Sequence, residues 1–205
     1  MDNTNQAPAF EWDDIYTGDA TDYLPPDEEL LSIIDSLEPG RALDVGCGAG
    51  GLVAALCERG WTVTGIDIAP HAIEAAGKVL ARRGLGAELV TADAATWQPT
   101  GQFDLVTNCF ALPTSQADQA RAFRAMRAAV APGGHVVIKD FDASMKRLEQ
   151  FAGFHCPTVE ELLSAFDEMH IVRAEVAATP AHHNDPSDTT EWTAALLHAR
   201  NTPST

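Results

Sequence analysis

Nine residues constrain this chain more than any others. Leu43-Asp44-Val45-Gly46-Cys47-Gly48-Ala49-Gly50-Gly51 places four glycines where an apolar run ends and a helical pattern begins. Without a Cβ, glycine turns the backbone tightly and lets a ligand approach the main chain. In open α/β sheets such a turn lies at the carboxyl ends of the strands, which is where ligands bind.

The rest of the chain alternates accordingly. Residues 41–45 read as a strand, 51–59 as a helix closed by Gly60, and 61–66 as a second strand. Pro70 opens a helix with Ile73, Ala76 and Leu80 on one face, ending at Gly84. Strands follow at 87–91 and 103–107. Ser115 with Asp118 predicts a capping box for a helix running to about Val130. Pro132-Gly133-Gly134 then turns into a fifth strand at 135–138. Five strands alternating with helices specify a mostly parallel sheet with helices on both faces. Upstream, Leu30, Leu31, Ile34 and Leu37 form one helical face, stopped by Pro39-Gly40. Downstream, a helix at 159–166 precedes strands at 171–176 and 192–197, joined by a Pro-, His- and Asp-rich loop at 180–189.

Charge narrows the partners. Thirteen Lys and Arg against 30 Asp and Glu give a net charge of −17, while the 45% hydrophobic content is ordinary for a folded protein. Such a field repels phosphate polyanions, so neither nucleic acid nor an anionic membrane is the expected partner. There is no secretory pattern at the N-terminus, and no apolar run approaches the ~18 residues of a membrane span. Cys47, Cys57, Cys109 and Cys156 have no C-x-x-C spacing. They read as reduced thiols of a cytoplasmic protein, with no metal site.

The ligand is first read from the glycines. Gly46-x-Gly48-x-x-Gly51 satisfies a dinucleotide pattern, and Asp67 lies 21 residues after Gly46, at the end of the second strand. Both facts fit NAD. Asp44 points elsewhere, because a carboxylate directly before the loop repels pyrophosphate and suits an amino group or a sulfonium. Thr91-Ala92-Asp93-Ala94 adds an acid that can accept from an adenine amino group. Three carboxylates, Asp44, Asp67 and Asp93, therefore stand near three successive strand tips. They call for a cation bearing adenosine, and S-adenosyl-L-methionine (SAM) is that molecule.

Leu-Asp-Val-Gly-Cys-Gly-Ala-Gly-Gly (43–51), Val-Thr-Gly-Ile-Asp-Ile (63–68), Thr-Ala-Asp-Ala (91–94), Phe-Asp-Leu-Val-Thr-Asn (103–108) and Ala-Pro-Gly-Gly-His-Val-Val-Ile (131–138) resemble the successive motifs of class I SAM-dependent methyltransferases. Trp12-Asp13-x-x-Tyr16 followed by Pro25-Pro26 and a helix is similar, more loosely, to small bacterial methyltransferases of the tellurite-resistance and thiopurine type. The resemblance implies a Rossmann-like, doubly wound seven-stranded sheet of order 3-2-1-4-5-7-6, with the last strand antiparallel. Residues 1–39 would be an N-terminal cap segment and helix, 40–200 the SAM-binding domain and 201–205 a tail, forming a single domain overall.

The resemblance also assigns roles. Gly46, Cys47, Gly48 and Gly50 match the loop around the methionine moiety, with Asp44 before it. Asp67 matches the acid that takes both ribose hydroxyls, with Ile68 against the adenine face. Asp93 and Ala94 match the adenine edge, and Asn108 stands where the fourth strand delivers a backbone carbonyl to the methionine amino group. Trp12 and Tyr16 read either as a lid, favoured near a sulfonium by cation–π attraction, or as ordinary apolar anchors.

For catalysis the residues leave alternatives open. His182-His183 and His155, with Cys156 beside it, read as general-base or acceptor-binding candidates, against a solvated loop and an irregular covering segment. Asp140 and Asp142 either rim the site or face water. The Asn-Pro-Pro-Tyr signature of nucleic-acid amino methylation is absent after the fourth strand, and Cys156-Pro157 reverses the Pro-Cys order of cytosine methylation. The expected activity is methyl transfer to O, N or S of a small-molecule acceptor, leaving S-adenosyl-L-homocysteine (SAH). A SAM-binding regulator without transferase activity and an NAD-dependent oxidoreductase are the alternatives. The oligomeric state is left open.

Overall fold

A computed structural model describes residues 12–16, 25–179 and 191–202. Seven strands form one sheet: β1 (Arg41–Val45), β2 (Thr62–Asp67), β3 (Glu88–Thr91), β4 (Phe103–Cys109), β5 (Val130–Phe141), β6 (His170–Thr179) and β7 (Trp192–Arg200). Their order is β3-β2-β1-β4-β5-β7-β6. β1 to β5 pair in parallel, and β7 runs antiparallel to both β5 and β6. This is the doubly wound sheet that the sequence resemblance implies.

The helices are α1 (Trp12–Ile15), α2 (Glu28–Ile34), α3 (Gly51–Glu58), α4 (Pro70–Arg83), α5 (Gln116–Ala129) and α6 (Val159–Ala165). Alternation along the strands assigns the two faces. Leu43, Val45, Ile66, Val106, Val136 and Ile138 pack with Phe123 and Met126 of α5 and Leu162 of α6. Ala42, Val63, Leu105 and Val137 pack with Leu30 and Ile34 of α2, Leu56 of α3 and Val79 of α4. Pro70 does open α4, and Gly84 closes it with a φ of 66°.

Three details depart from the sequence reading. β5 begins at Val130 rather than 135. Val130 pairs with Phe103 and His135 with Leu105, so the intervening Pro-Gly-Gly is a bulge inside the strand and not a turn before it. At α5 the Ser115 hydroxyl accepts the Asp118 N–H at 3.1 Å, but the short Asp118 carboxylate bonds the hydroxyl rather than the Ser115 backbone. The complete capping box is at α6, where Thr158 and the longer Glu161 exchange bonds of 3.1 and 2.9 Å.

The third departure is an ion-pair network. Lys139, 2% exposed within β5, lies 2.8 Å from Asp27 and 3.0 Å from Glu29, and Glu29 also pairs with Arg173 of β6. Burial alone would push the ammonium down, but the hydrogen bonds and charges of both carboxylates outweigh it and hold it above its ordinary value. Asp27 also caps α2 by accepting the Leu30 N–H at 3.0 Å. The network docks α2 on the far half of the sheet. Among the described residues, no helix is long and apolar enough to cross a membrane.

Candidate functional site

β1, β2, β4 and β5 present their carboxyl ends at one edge, and the glycine loop follows β1 there. Gly46, Gly48 and Gly50 have φ of 75°, 51° and 81°, all left-handed. The N–H groups of Gly46 and Cys47 both donate to the Ile66 carbonyl, at 2.8 and 2.9 Å, and lash the loop to β2. A Cβ on Gly46 would sit 2.2 Å from the Ala111 Cβ, and one on Gly50 would sit 2.8 Å from the Ala76 Cβ. Glycine is required here by both conformation and space.

Asp67 organises the loop. One carboxylate oxygen accepts the Gly48 N–H at 2.8 Å, and the other accepts the Ala69 N–H at 2.9 Å. Each oxygen keeps a second lone pair, enough for a vicinal diol. Burial raises this carboxyl above its ordinary range despite the backbone donors that oppose it. Next to it, Ile68 is 53% exposed, an apolar surface at the tip of β2. Asp93 turns onto its own loop, with one oxygen accepting the Ala95 N–H at 2.8 Å and the other free of short bonds, and half-buried Ala94 follows it.

Asp44 is 2% exposed and accepts the Thr107 hydroxyl at 2.8 Å. Burial pushes its carboxyl up to about 7; the Thr107 bond opposes this and the charge of Asp67 adds to it. A carboxyl raised in the fold holds its proton more tightly than in the unfolded chain. Its contribution to stability is full below about pH 4 and is lost as pH rises through about 7. Asp44→Asn therefore gains stability on the wild type as pH goes from about 5 to about 8, which urea unfolding at both pH values reads directly.

Asn108 lies within β4, and its buried side chain donates to the Val45 carbonyl at 2.8 Å, just before the glycine loop, leaving its own Oδ1 buried without a donor. Cys47 is buried, and burial raises its thiol well above the ordinary value, so it lines the loop as an apolar group.

The N-terminal segment covers this edge. The Tyr16 phenol oxygen lies 2.8 Å from the position a Cβ would take on Gly48. Burial, with the charges of Asp67 and Cys47, pushes its hydroxyl up to about 12. The Trp12 ring lies 6.1 Å from that of Phe154.

The catalytic candidates fare less well. Asp140 does not face water: it is 8% exposed and accepts the N–H groups of Leu112 and Phe141, at 2.9 and 2.7 Å. Burial raises it to about 7 against those bonds. Its work is to hold the loop after β4, whose Phe110 has a φ of 53° and whose Ala111 backs Gly46. Asp142, also buried, caps the short turn at Ala143–Arg147. The His155 ring lies 3.2 Å from Glu161, and its backbone bonds Thr114 and Gln119, so its contacts run to α5 and α6. Cys156 is buried among Met145, Phe151 and Trp192. His182 and His183 lie outside the described residues. No cluster of three or more metal-ligating groups is found among the described residues.

SAM fits the groups at this edge. An acid ties the glycine loop to the tip of β2, an amide oxygen lies buried without a donor beside the loop, and the glycines clear the main chain for contact. Phe110 was missed as a site-builder in the sequence, while Asp140 and Asn108 stood out there without the contacts that their side chains make. Acids and an amide inside otherwise apolar strand runs were the available signal.

Residues 42–134 match a family described as a methyltransferase domain. The ubiquinone biosynthesis O-methyltransferase of Pseudomonas aeruginosa (strain LESB58) is 34% identical over 108 residues, covering 52% of this chain and 46% of that protein. Its counterpart in Bordetella avium (strain 197N) is 35% identical over 127 residues, covering 58% and 50%. The chain thus spans about half the length of the curated relatives it matches. Among solved structures, the N-methyltransferase NodS from Bradyrhizobium japonicum WM9 in complex with SAH superposes with a TM-score of 0.69 at 20% identity, over 86% of this chain and 85% of that one. TehB from Haemophilus influenzae gives a TM-score of 0.72 at 16% identity, over 85% and 62%. These similarities extend the likeness in fold across most of the chain.

Proposed function

We propose that the protein, whose residues 42–134 match a methyltransferase domain and whose sheet has the order β3-β2-β1-β4-β5-β7-β6, is a class I SAM-dependent methyltransferase that methylates O, N or S of a small molecule by direct in-line displacement. Asp67 carries the reading. Its carboxylate closes β2 and is bonded to the glycine loop, where an acid can both order the loop and accept ribose hydroxyls. Pyrophosphate would be repelled by the acid of Asp44 directly before the loop, whereas the ammonium and sulfonium of an adenosyl cation would be attracted to it.

SAM supplies an electrophilic methyl on a good leaving group, so no enzyme nucleophile is needed. What the chain contributes is alignment and the exclusion of water. Gly46, Cys47, Gly48 and Gly50 line the amino-acid half of the cofactor, with Asn108 Oδ1 accepting from its ammonium and Asp44 adding negative charge behind. Asp67 takes the ribose hydroxyls and Ile68 lies under the adenine. The Asp93 oxygen that has only a long contact to Thr96 accepts from the adenine amino group, beside the Ala94 N–H. Trp12 and Tyr16 close the edge to water.

Residues 1–39 serve as the cap and 40–200 as the SAM-binding domain. His182, His183 and His155 remain the candidates for a general base, the first two lying between β6 and β7 in sequence. The net charge of −17 favours a neutral or cationic small molecule over nucleic acid, and a cytoplasmic setting agrees with four spaced, unpaired cysteines.

The test is a thermal shift followed by turnover. SAH raises the unfolding midpoint and NAD does not, and labelled methyl passes from SAM to members of a small-molecule acceptor panel. A shift with NAD alone overturns the proposal. A shift with SAH and no transfer to any acceptor turns it into a SAM-binding regulator.

A further inference from the structure

Helix α4 begins without a cap of its own. Ala69 at the N-cap has no side chain to offer, although Pro70 removes one of the N–H groups that need satisfying. Asp13 supplies the cap from 58 residues away. One carboxylate oxygen accepts the His71 N–H at 2.8 Å, and the other lies 2.6 Å from the His71 Nδ1. A charged group at a helix N-terminus is also favoured by the helix dipole.

The geometry has a consequence for the cofactor edge. α4 starts three residues after Asp67, so a clamp at His71 fixes α1 directly over the tip of β2. Tyr16 follows Asp13 by three residues and lies over Gly48. Next to Asp13, the Trp12 ring lies 6.1 Å from that of Phe154, so α1 is fastened by a polar contact and an aromatic one.

We propose that Asp13 and His71 are positioning residues that clamp the N-terminal segment shut, so that Tyr16 sets how fast the cofactor product leaves. The proposal rests on the methyltransferase reading. Neither residue touches the reacting atoms; both act through Tyr16.

Release of SAH from the full chain, followed by stopped-flow fluorescence, tests it. Asp13→Ala and Tyr16→Ala each speed release about tenfold, the scale of a lost helix cap expressed as a rate. Asp13→Asn keeps an acceptor for the His71 N–H and falls between Asp13→Ala and the wild type. His71→Ala loses only the ring bond and also falls between. A role confined to capping α4 would lower the unfolding midpoint of Asp13→Ala and leave release at the wild-type rate, which would overturn the clamp. Faster release in Tyr16→Ala but not in Asp13→Ala would overturn it as well. Absence of SAH binding by the wild type would sink the methyltransferase reading and the clamp together, an outcome distinct from either.

Discussion

Asp67→Ala weakens SAH binding by at least about a hundredfold in isothermal titration. Hydrogen bonds to a charged group contribute about 1.5–3 kcal/mol each, and every 1.4 kcal/mol is tenfold in affinity. Two such bonds to a ribose diol alone reach that figure. The substitution also takes away the acceptor of the Gly48 and Ala69 N–H groups, so the loop loses its tie to β2 and the cradle loosens as the ligand contact disappears. Asp67→Asn separates the two effects. It keeps one oxygen acceptor and loses the charge, so it recovers part of the loop order and little of the diol affinity. Unchanged affinity in Asp67→Ala would remove this residue from the site.

Gly46→Ala is the second large effect, and it falls on stability and binding together. The backbone there has a φ of 75°, and a non-glycine residue in the left-handed region costs about 1–2 kcal/mol. The new methyl would also lie 2.2 Å from the Ala111 Cβ and 3.2 Å from its carbonyl oxygen, on a loop held from behind by Asp140. Overpacking of this kind adds about 1–3 kcal/mol. The sum of about 2–5 kcal/mol shows as a lower urea midpoint, and the displaced loop no longer binds SAH. Gly84→Ala is the control. Its φ is 66° but nothing lies within 4 Å, so only the backbone penalty applies. Equal losses in the two variants would show that Ala111 yields freely and that the loop after β4 does not brace the cradle.

Both predictions turn on residues that were legible in the chain. Gly46 and Asp67 stand out because glycine density and an acid closing a β-rich run are local patterns, and local patterns survive in one dimension. The same holds for Pro70 and Gly84 at the ends of α4. Other contributors had no such signature. Nothing near Asp140 in sequence announces that its carboxylate holds the Leu112 N–H, 28 residues earlier, as well as that of its neighbour Phe141. Lys139 sits among apolar residues of a strand with nothing nearby in sequence to explain it, since both its partners lie at the start of α2, Asp27 being 112 residues away.

The order of amino acids thus set the alternation of strands and helices, the glycine cradle and the acids at the strand tips, because each depends on backbone preference or on side-chain period over a few residues. Tertiary structure decided which buried polar groups find partners and which remain open. It paired Lys139 with α2, tied Asp140 to the loop behind Gly46, left Asn108 with an unmatched oxygen, and laid Tyr16 over Gly48 through a cap that Asp13 lends to α4. Those outcomes depend on desolvation and on donor–acceptor distances between segments far apart in the chain, and both exist only once the sheet has brought the segments together.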